Sequence, residues 1–170
     1  MALIGHEPAL MQEAEDALRR DSLKAISIVA DVSIDAEVEN AIARSVEALG
    51  AVDILINNAA IQPYGTVAST EPAQWDAVFH INLRGAYLAC RHALPHMLRR
   101  AGGAIVNISS VQALANQARV AAYASSKAGL IALTRSIAVD FGAFGVRANA
   151  VCPGCIDAPM TRFAAVESSY

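Results

Sequence analysis

The spacing of apolar residues changes period repeatedly along the chain. From Glu7 to Arg20 (EPALMQEAEDALRR) apolar positions recur every three or four residues, with acids early and arginines late, as a helix dipole favours. Leu23 to Val32 (LKAISIVADV) is short, apolar and closed by Asp31, which predicts a strand. Ser33 to Gly50 opens on a serine suited to capping and ends on glycine, so it predicts a second helix. The same reading gives a strand in Ala51 to Ala60 (AVDILINNAA), a long helix in Glu71 to Arg100 and a strand in Gly102 to Ser110 (GGAIVNISS). A further helix follows over Ala121 to Phe144, and a last strand over Val146 to Gly154 (VRANAVCPG). Strand alternates with helix throughout, and the strands are apolar on both sides. That combination predicts one α/β domain spanning 1–170, a doubly wound parallel sheet with helices on both faces.

Composition narrows the class. A hydrophobic share of 55% in 170 residues, with a mean hydropathy of +0.37, suits a sheet covered on both sides. The net charge of -3 offers no basic field, so nucleic acid is not an expected partner. No run reaches the ~18 apolar residues of a membrane span, and three cysteines suit reduced thiols. The expected setting is cytoplasmic, without a membrane.

The polar residues that interrupt these elements collect at one end of the predicted sheet. Asp31, Asn57 with Asn58, Ser110, and Pro153 with Gly154 all stand at carboxyl ends of strands, where open α/β sheets bind ligands. Each is also an ordinary turn former, so the convergence carries more than any one of them. Tyr123 and Lys127, in YASSKAGL, lie four apart and so share one face of a helix. A free phenol titrates near ~10, and a cation within about 4–6 Å favours its ionised form. Tyr123 could then exchange a proton with an alcohol or carbonyl, while Ser110 donates to the same oxygen. Moving a hydride with that proton calls for a cofactor, because no amino acid carries hydride.

Other arrangements are weaker. Ser110 lacks the G-x-S-x-G setting of a hydrolase nucleophile, and all four histidines precede it. Cys152 and Cys155 form a C-x-x-C at a strand-to-turn junction with no second ligand pair nearby in sequence. His92 and His96 have metal spacing, but no acid lies between them and Pro95 disturbs the turn.

Taken in order, NNAA, the asparagine of HINLRG, NISS, YASSK and VCPG resemble the short-chain dehydrogenase/reductase family over about Glu7 to Arg162. The resemblance implies a Rossmann-like fold and an NAD- or NADP-dependent interconversion of a secondary alcohol and a ketone. It implies Tyr123 as acid/base, Lys127 as its partner and ribose ligand, Ser110 on the substrate oxygen, and Asn82 anchoring a relay water. It also implies Asp31 and Val32 beside the adenine, Asn58 and Ala59 along the cofactor, and Pro153, Gly154 and Ile156 on the nicotinamide side. Its partners would be a small alcohol or carbonyl substrate and further copies of the chain in a dimer or tetramer.

Against the family pattern, several features are expected to be missing: the first βαβ unit with its TGxxxGxG turn, the C-terminal lid and the last strand. Ala158 also replaces a frequent threonine. The family's strand order, 3-2-1-4-5-6-7, would leave AISIVAD without neighbours, and direct pairing with DILIN is the expected remedy. The alternative is an inactive fragment that associates through Gln74 to Arg100 and Ala121 to Phe144. Gln62, Gln112 and Gln117 are candidates to reach a substrate.

Overall fold

The computed structural model describes residues 1–157, so Ala158 and the tail beyond it lie outside the described residues. Five strands and five α-helices follow one another in near alternation: β1 (Ala2–Gly5), α1 (Pro8–Arg20), β2 (Ile26–Val29), α2 (Asp35–Leu49) and β3 (Ile54–Asn57). Then come α3 (Pro72–Phe79), α4 (Gly85–Arg99), β4 (Gly103–Ile108), α5 (Ala121–Phe141) and β5 (Val146–Val151). All strand pairs are parallel. This is the expected α/β Rossmann-like class.

The sheet departs from expectation in one respect. β2 does not cross over to β3. It pairs with β1, in a register that sets Ala2 against Ile26 and Gly5 against Val29. Ala2–Gly5 had no predicted strand, because four residues ahead of a helix give too short a pattern to show a period. β1 supplies backbone partners where the periodicity left β2 alone: Ile26 N–H donates to the Met1 carbonyl at 3.0 Å and Ala30 N–H to the Gly5 carbonyl at 2.9 Å. β3, β4 and β5 form a separate sheet in that order. A strand pairs wherever its backbone groups first find a parallel neighbour, and α1 returns the chain alongside β1 after one short crossover.

What joins the two sheets is packing. Val38 and Ile42 of α2, Leu88 and Met97 of α4, Ile105 of β4 and Ile137 of α5 belong to one buried cluster, against which both Ile4 of β1 and Leu55 of β3 pack. Ile4 and Ile56 also face a common cavity of about 200 Å³. The long helix predicted over Glu71 to Arg100 is broken by a π-helical turn at His80–Arg84, which carries Asn82. The serine cap expected on α2 is not made. Instead Asp31 Oδ1 accepts the Ser33 N–H at 2.8 Å and Ile34 precedes the helix.

Two glycines fix approaches that matter to the site. A Cβ on Gly85 would lie 3.0 Å from Val32 Cγ2 and 3.1 Å from the Val32 carbonyl, so any larger residue there would have to push the loop after β2 away by a few tenths of an ångström. Gly145, at φ 81°, turns the chain into β5, and a Cβ there would stand 2.6 Å from the Ala101 carbonyl. Asp35 and His92 join α2 to α4 at 2.7 Å, so His92 is engaged with a carboxylate while His96 meets Arg99.

The two sheets differ in how their isoleucines are used, and stability measurements should show it. Ile28 is 2% exposed in β2, so Ile28→Ala is expected to cost about 2–5 kcal/mol in denaturant unfolding. Ile56, 60% exposed on the open side of β3, should tolerate Ile56→Thr within about 0.5 kcal/mol. Equal costs at the two positions would contradict the pairing of β1 with β2.

Candidate active site

β4 delivers Ser109 and Ser110 at its carboxyl end, and α5 runs beneath them. Two bonds fix the helix to the strand end. Ser109 Oγ donates to the Lys127 carbonyl at 2.8 Å, and Lys127 Nζ donates to the Ile108 carbonyl at 2.6 Å. Tyr123, one turn earlier, lines the same cleft as Ser110, and the Lys127 ammonium stands 5.7 Å from the centre of its ring. Ser110 Oγ also accepts the Gln112 N–H at 3.1 Å. The loop after β5 is held to the same point, since Val111 N–H donates to the Pro153 carbonyl at 3.1 Å.

Burial dominates the electrostatics here. Lys127 is 2% exposed, and loss of water lowers its pKa from 10.5 to about 8. Burial also pushes the Tyr123 phenol above its ordinary value; the Ser110 side chain opposes that shift and the nearby Tyr64 adds to it. The sequence led to the opposite expectation, a phenol depressed by the lysine. Both groups are dry, and dryness favours the neutral form of each more than the pair favours charge. At neutral pH Tyr123 is a protonated acid.

These residues stand in the wall of a cleft of about 660 Å³ at the carboxyl ends of the strands. Asp31, Val32, Asn58, Ala59, Ser110, Tyr123, Lys127, Pro153, Gly154 and Ile156 all line it, so ten positions singled out in sequence converge. Asn82 does not line it. Buried to 1% exposure in the π-turn, its Oδ1 accepts the Ile61 N–H at 2.8 Å, and its amide protons go to the Ile61 carbonyl at 2.9 Å and Ser126 Oγ at 3.1 Å. Its side chain positions the loop after β3. Asn57 is likewise turned inward, donating to Asn107 Oδ1 at 2.8 Å. Asp31 keeps an ionised carboxylate at the rim, its pKa lowered chiefly by the hydrogen bond from Ser33.

Sequence reasoning missed Tyr64, which packs against Val120 and Tyr123. The only sequence signal was an aromatic residue between Pro63 and Gly65 in the loop after β3. Gln62, Gln112 and Gln117 do line the cleft, but their amides bond to one another and to the Tyr64 hydroxyl. Among the described residues, no group of three or more His, Cys, Asp or Glu comes together as metal ligands would. No described helix is long and apolar enough to cross a membrane.

This arrangement has counterparts. The chain is 44% identical over 143 residues to a 2-(R)-hydroxypropyl-CoM dehydrogenase of Xanthobacter autotrophicus, covering 82% of this chain and 57% of that protein. It is 38% identical to an inactive 2-(S)-hydroxypropyl-CoM dehydrogenase from the same organism, covering 92% and 66%. Among solved structures, levodione reductase superposes with a TM-score of 0.95 at 31% identity, and a gluconate 5-dehydrogenase of Burkholderia cenocepacia, in complex with NADP and tartrate, with 0.92 at 30%. Each of these two matches covers 99% of this chain and 66% of the neighbour. The chain thus spans about 57% of the length of the first of these relatives and two thirds of the solved neighbours. The short chain dehydrogenase family matches residues 1–167, and the chain belongs to that family.

Proposed function

We propose that this chain carries the catalytic half of an oxidoreductase that interconverts a secondary alcohol and a ketone with a nicotinamide cofactor. The observation behind this reading is the convergence of Ser110, Tyr123 and Lys127 at the end of β4, all three in the wall of one cleft and the lysine tied to the Ile108 carbonyl. The solved neighbour holding NADP and the dehydrogenases among the relatives support it.

The cleft residues suit such a cofactor. Lys127, Pro153 and Ile156 line the same cleft as Tyr123, as do Asp31 and Val32. When bound, the cofactor supplies or accepts the hydride. Ser110 holds the substrate oxygen, and Tyr123 donates its proton to that oxygen as the carbonyl carbon is reduced; the reverse direction returns the proton to the phenolate. Lys127 in its ammonium form would help hold the cofactor's ribose, and with a pKa near 8 it is able to return a proton to the phenolate, becoming the neutral amine until solvent reprotonates it. Asn82 contributes by fixing the wall at Ile61, through its Oδ1 and its amide.

Inactivity is the competing reading, with association through α4 and α5 as its role; exposed Tyr87 and Val139 on those helices favour it. Titration with NADH and NADPH separates the two. Cofactor fluorescence should change on binding, and silence at millimolar levels would favour association. Where turnover is measured, Tyr123→Phe should lower kcat by about 10²–10⁴-fold while sparing cofactor affinity. Lys127→Ala should weaken both. Retained turnover in Tyr123→Phe would remove the assignment.

The buried lysine also has a signature that needs no turnover. Its folded pKa, near 8, lies below the ordinary 10.5, so between those values the unfolded chain holds a proton that the folded chain has lost. Stability should therefore rise with pH through that window, and Lys127→Met should abolish the rise in denaturant titrations at a series of pH values.

A further inference from the structure

The glutamines around Tyr64 form a chain whose direction is fixed from one end. The Gln117 backbone N–H can only donate, and it donates to Gln112 Oε1 at 2.6 Å. That settles which way the Gln112 amide points, so its Nε2 faces Gln117 Oε1 at 3.1 Å. The Gln117 amide is settled in turn, and its Nε2 donates to the Tyr64 hydroxyl oxygen at 3.4 Å. Gln62 Nε2 donates to the same oxygen at 3.3 Å. A phenol oxygen accepts two hydrogen bonds and keeps one proton to give. With both acceptor positions taken, the Tyr64 proton is the part left to point elsewhere.

The phenol is also well placed. Tyr64 packs on Val120 and Tyr123 and lines the same cleft as Ser110. Its loop is tied to the start of α5: Gly65 N–H donates to the Arg119 carbonyl at 2.8 Å and Ala121 N–H to the Gly65 carbonyl at 3.4 Å. Arg119 sits at φ 62°, in the left-handed region that residues other than glycine adopt infrequently. Tyr64 and Tyr123 thus ride on one backbone junction, with Ser110 joined to Gln112 through its own hydroxyl.

We propose that Tyr64 is a specificity-determining residue, donating its phenolic proton to a second oxygen on the substrate whose reacting oxygen is held by Ser110 and Tyr123. The preferred substrates are then alcohols or ketones carrying a further hydrogen-bond acceptor, a carbonyl, hydroxyl or carboxylate, rather than simple alkanols. The glutamines act through Tyr64. They hold the orientation of its hydroxyl and do not touch substrate. This inference rests on the alcohol–ketone reading above for the place of the reacting oxygen.

The test compares matched ketones that differ only in a second carbonyl: butanone against diacetyl, and methyl butyl ketone against acetonylacetone. Binding to the full chain is read by ligand-observed NMR titration, so turnover is not required. The wild-type chain should bind at least one dione about tenfold more tightly than its monoketone, the size of one hydrogen bond to an otherwise apolar wall. Tyr64→Phe keeps the ring's packing and should bring that ratio to about one; Gln117→Leu should lower it by releasing the hydroxyl, which a purely structural role for the glutamine would not do. Equal binding of both pairs by the wild type, or a ratio unaltered in Tyr64→Phe and Gln117→Leu, overturns the proposal. Failure of the alcohol–ketone reading looks different: no response to NADH or NADPH, with the dione preference still dependent on Tyr64.

Discussion

The junction between Lys127 and the end of β4 is the constraint on which the site depends. Two bonds run in opposite senses across it, one from the ammonium to the Ile108 carbonyl and one from Ser109 to the Lys127 carbonyl. Together they fix the height of α5 on the strand and hence the position of Tyr123 one turn away. They also answer the cost of burying an ammonium, since the cation keeps a strong acceptor after losing its water. The pKa near 8 is the residue of that compromise.

Around this junction lies a buried polar frame that leaves no buried side-chain nitrogen or oxygen unpaired among the described residues. Asn57 donates to Asn107, and Asn107 donates to Thr134 on α5 at 2.8 Å. Asn82 holds Ile61 from both sides and reaches Ser126. The links run from β3 to β4, from β4 to α5, and from the π-turn to the loop after β3 and to α5, and each would expose an unsatisfied group if its partner were lost. A core of leucine and valine could slide by a fraction of a residue; a core with these amides cannot, because hydrogen bonds have direction. The frame therefore fixes the cleft wall in one register.

The two-sheet arrangement has a different logic. α2 and α4 cover both sheets from one side, and their shared cluster with Ile4 and Leu55 keeps the β1–β2 pair beside the β3–β5 sheet without a strand between them. Val32 and Gly85 meet at the same seam, which brings the loop after β2 to the mouth of the cleft. Apolar packing here does what backbone pairing does inside each sheet, and it leaves Ile54 and Ile56 facing outward along β3.

The sequence by itself determined the order and kind of nearly every element, because the shift from a period of three or four to short apolar runs is a local property of the chain. It also marked Asp31, Asn58, Ser110, Tyr123, Lys127 and the Pro153 turn as one site, since parallel strands must put their carboxyl ends together. Three things lay beyond it. The pairing of β2 with β1 depends on which backbone edge is within reach. The protonated state of Tyr123 depends on burial from α5, β4 and the Tyr64 loop together, which no i, i+4 spacing reports. The contact between Gln117 and the Tyr64 hydroxyl closes across 53 residues of chain. Contacts between distant segments carry no periodicity, so only the folded chain decides them.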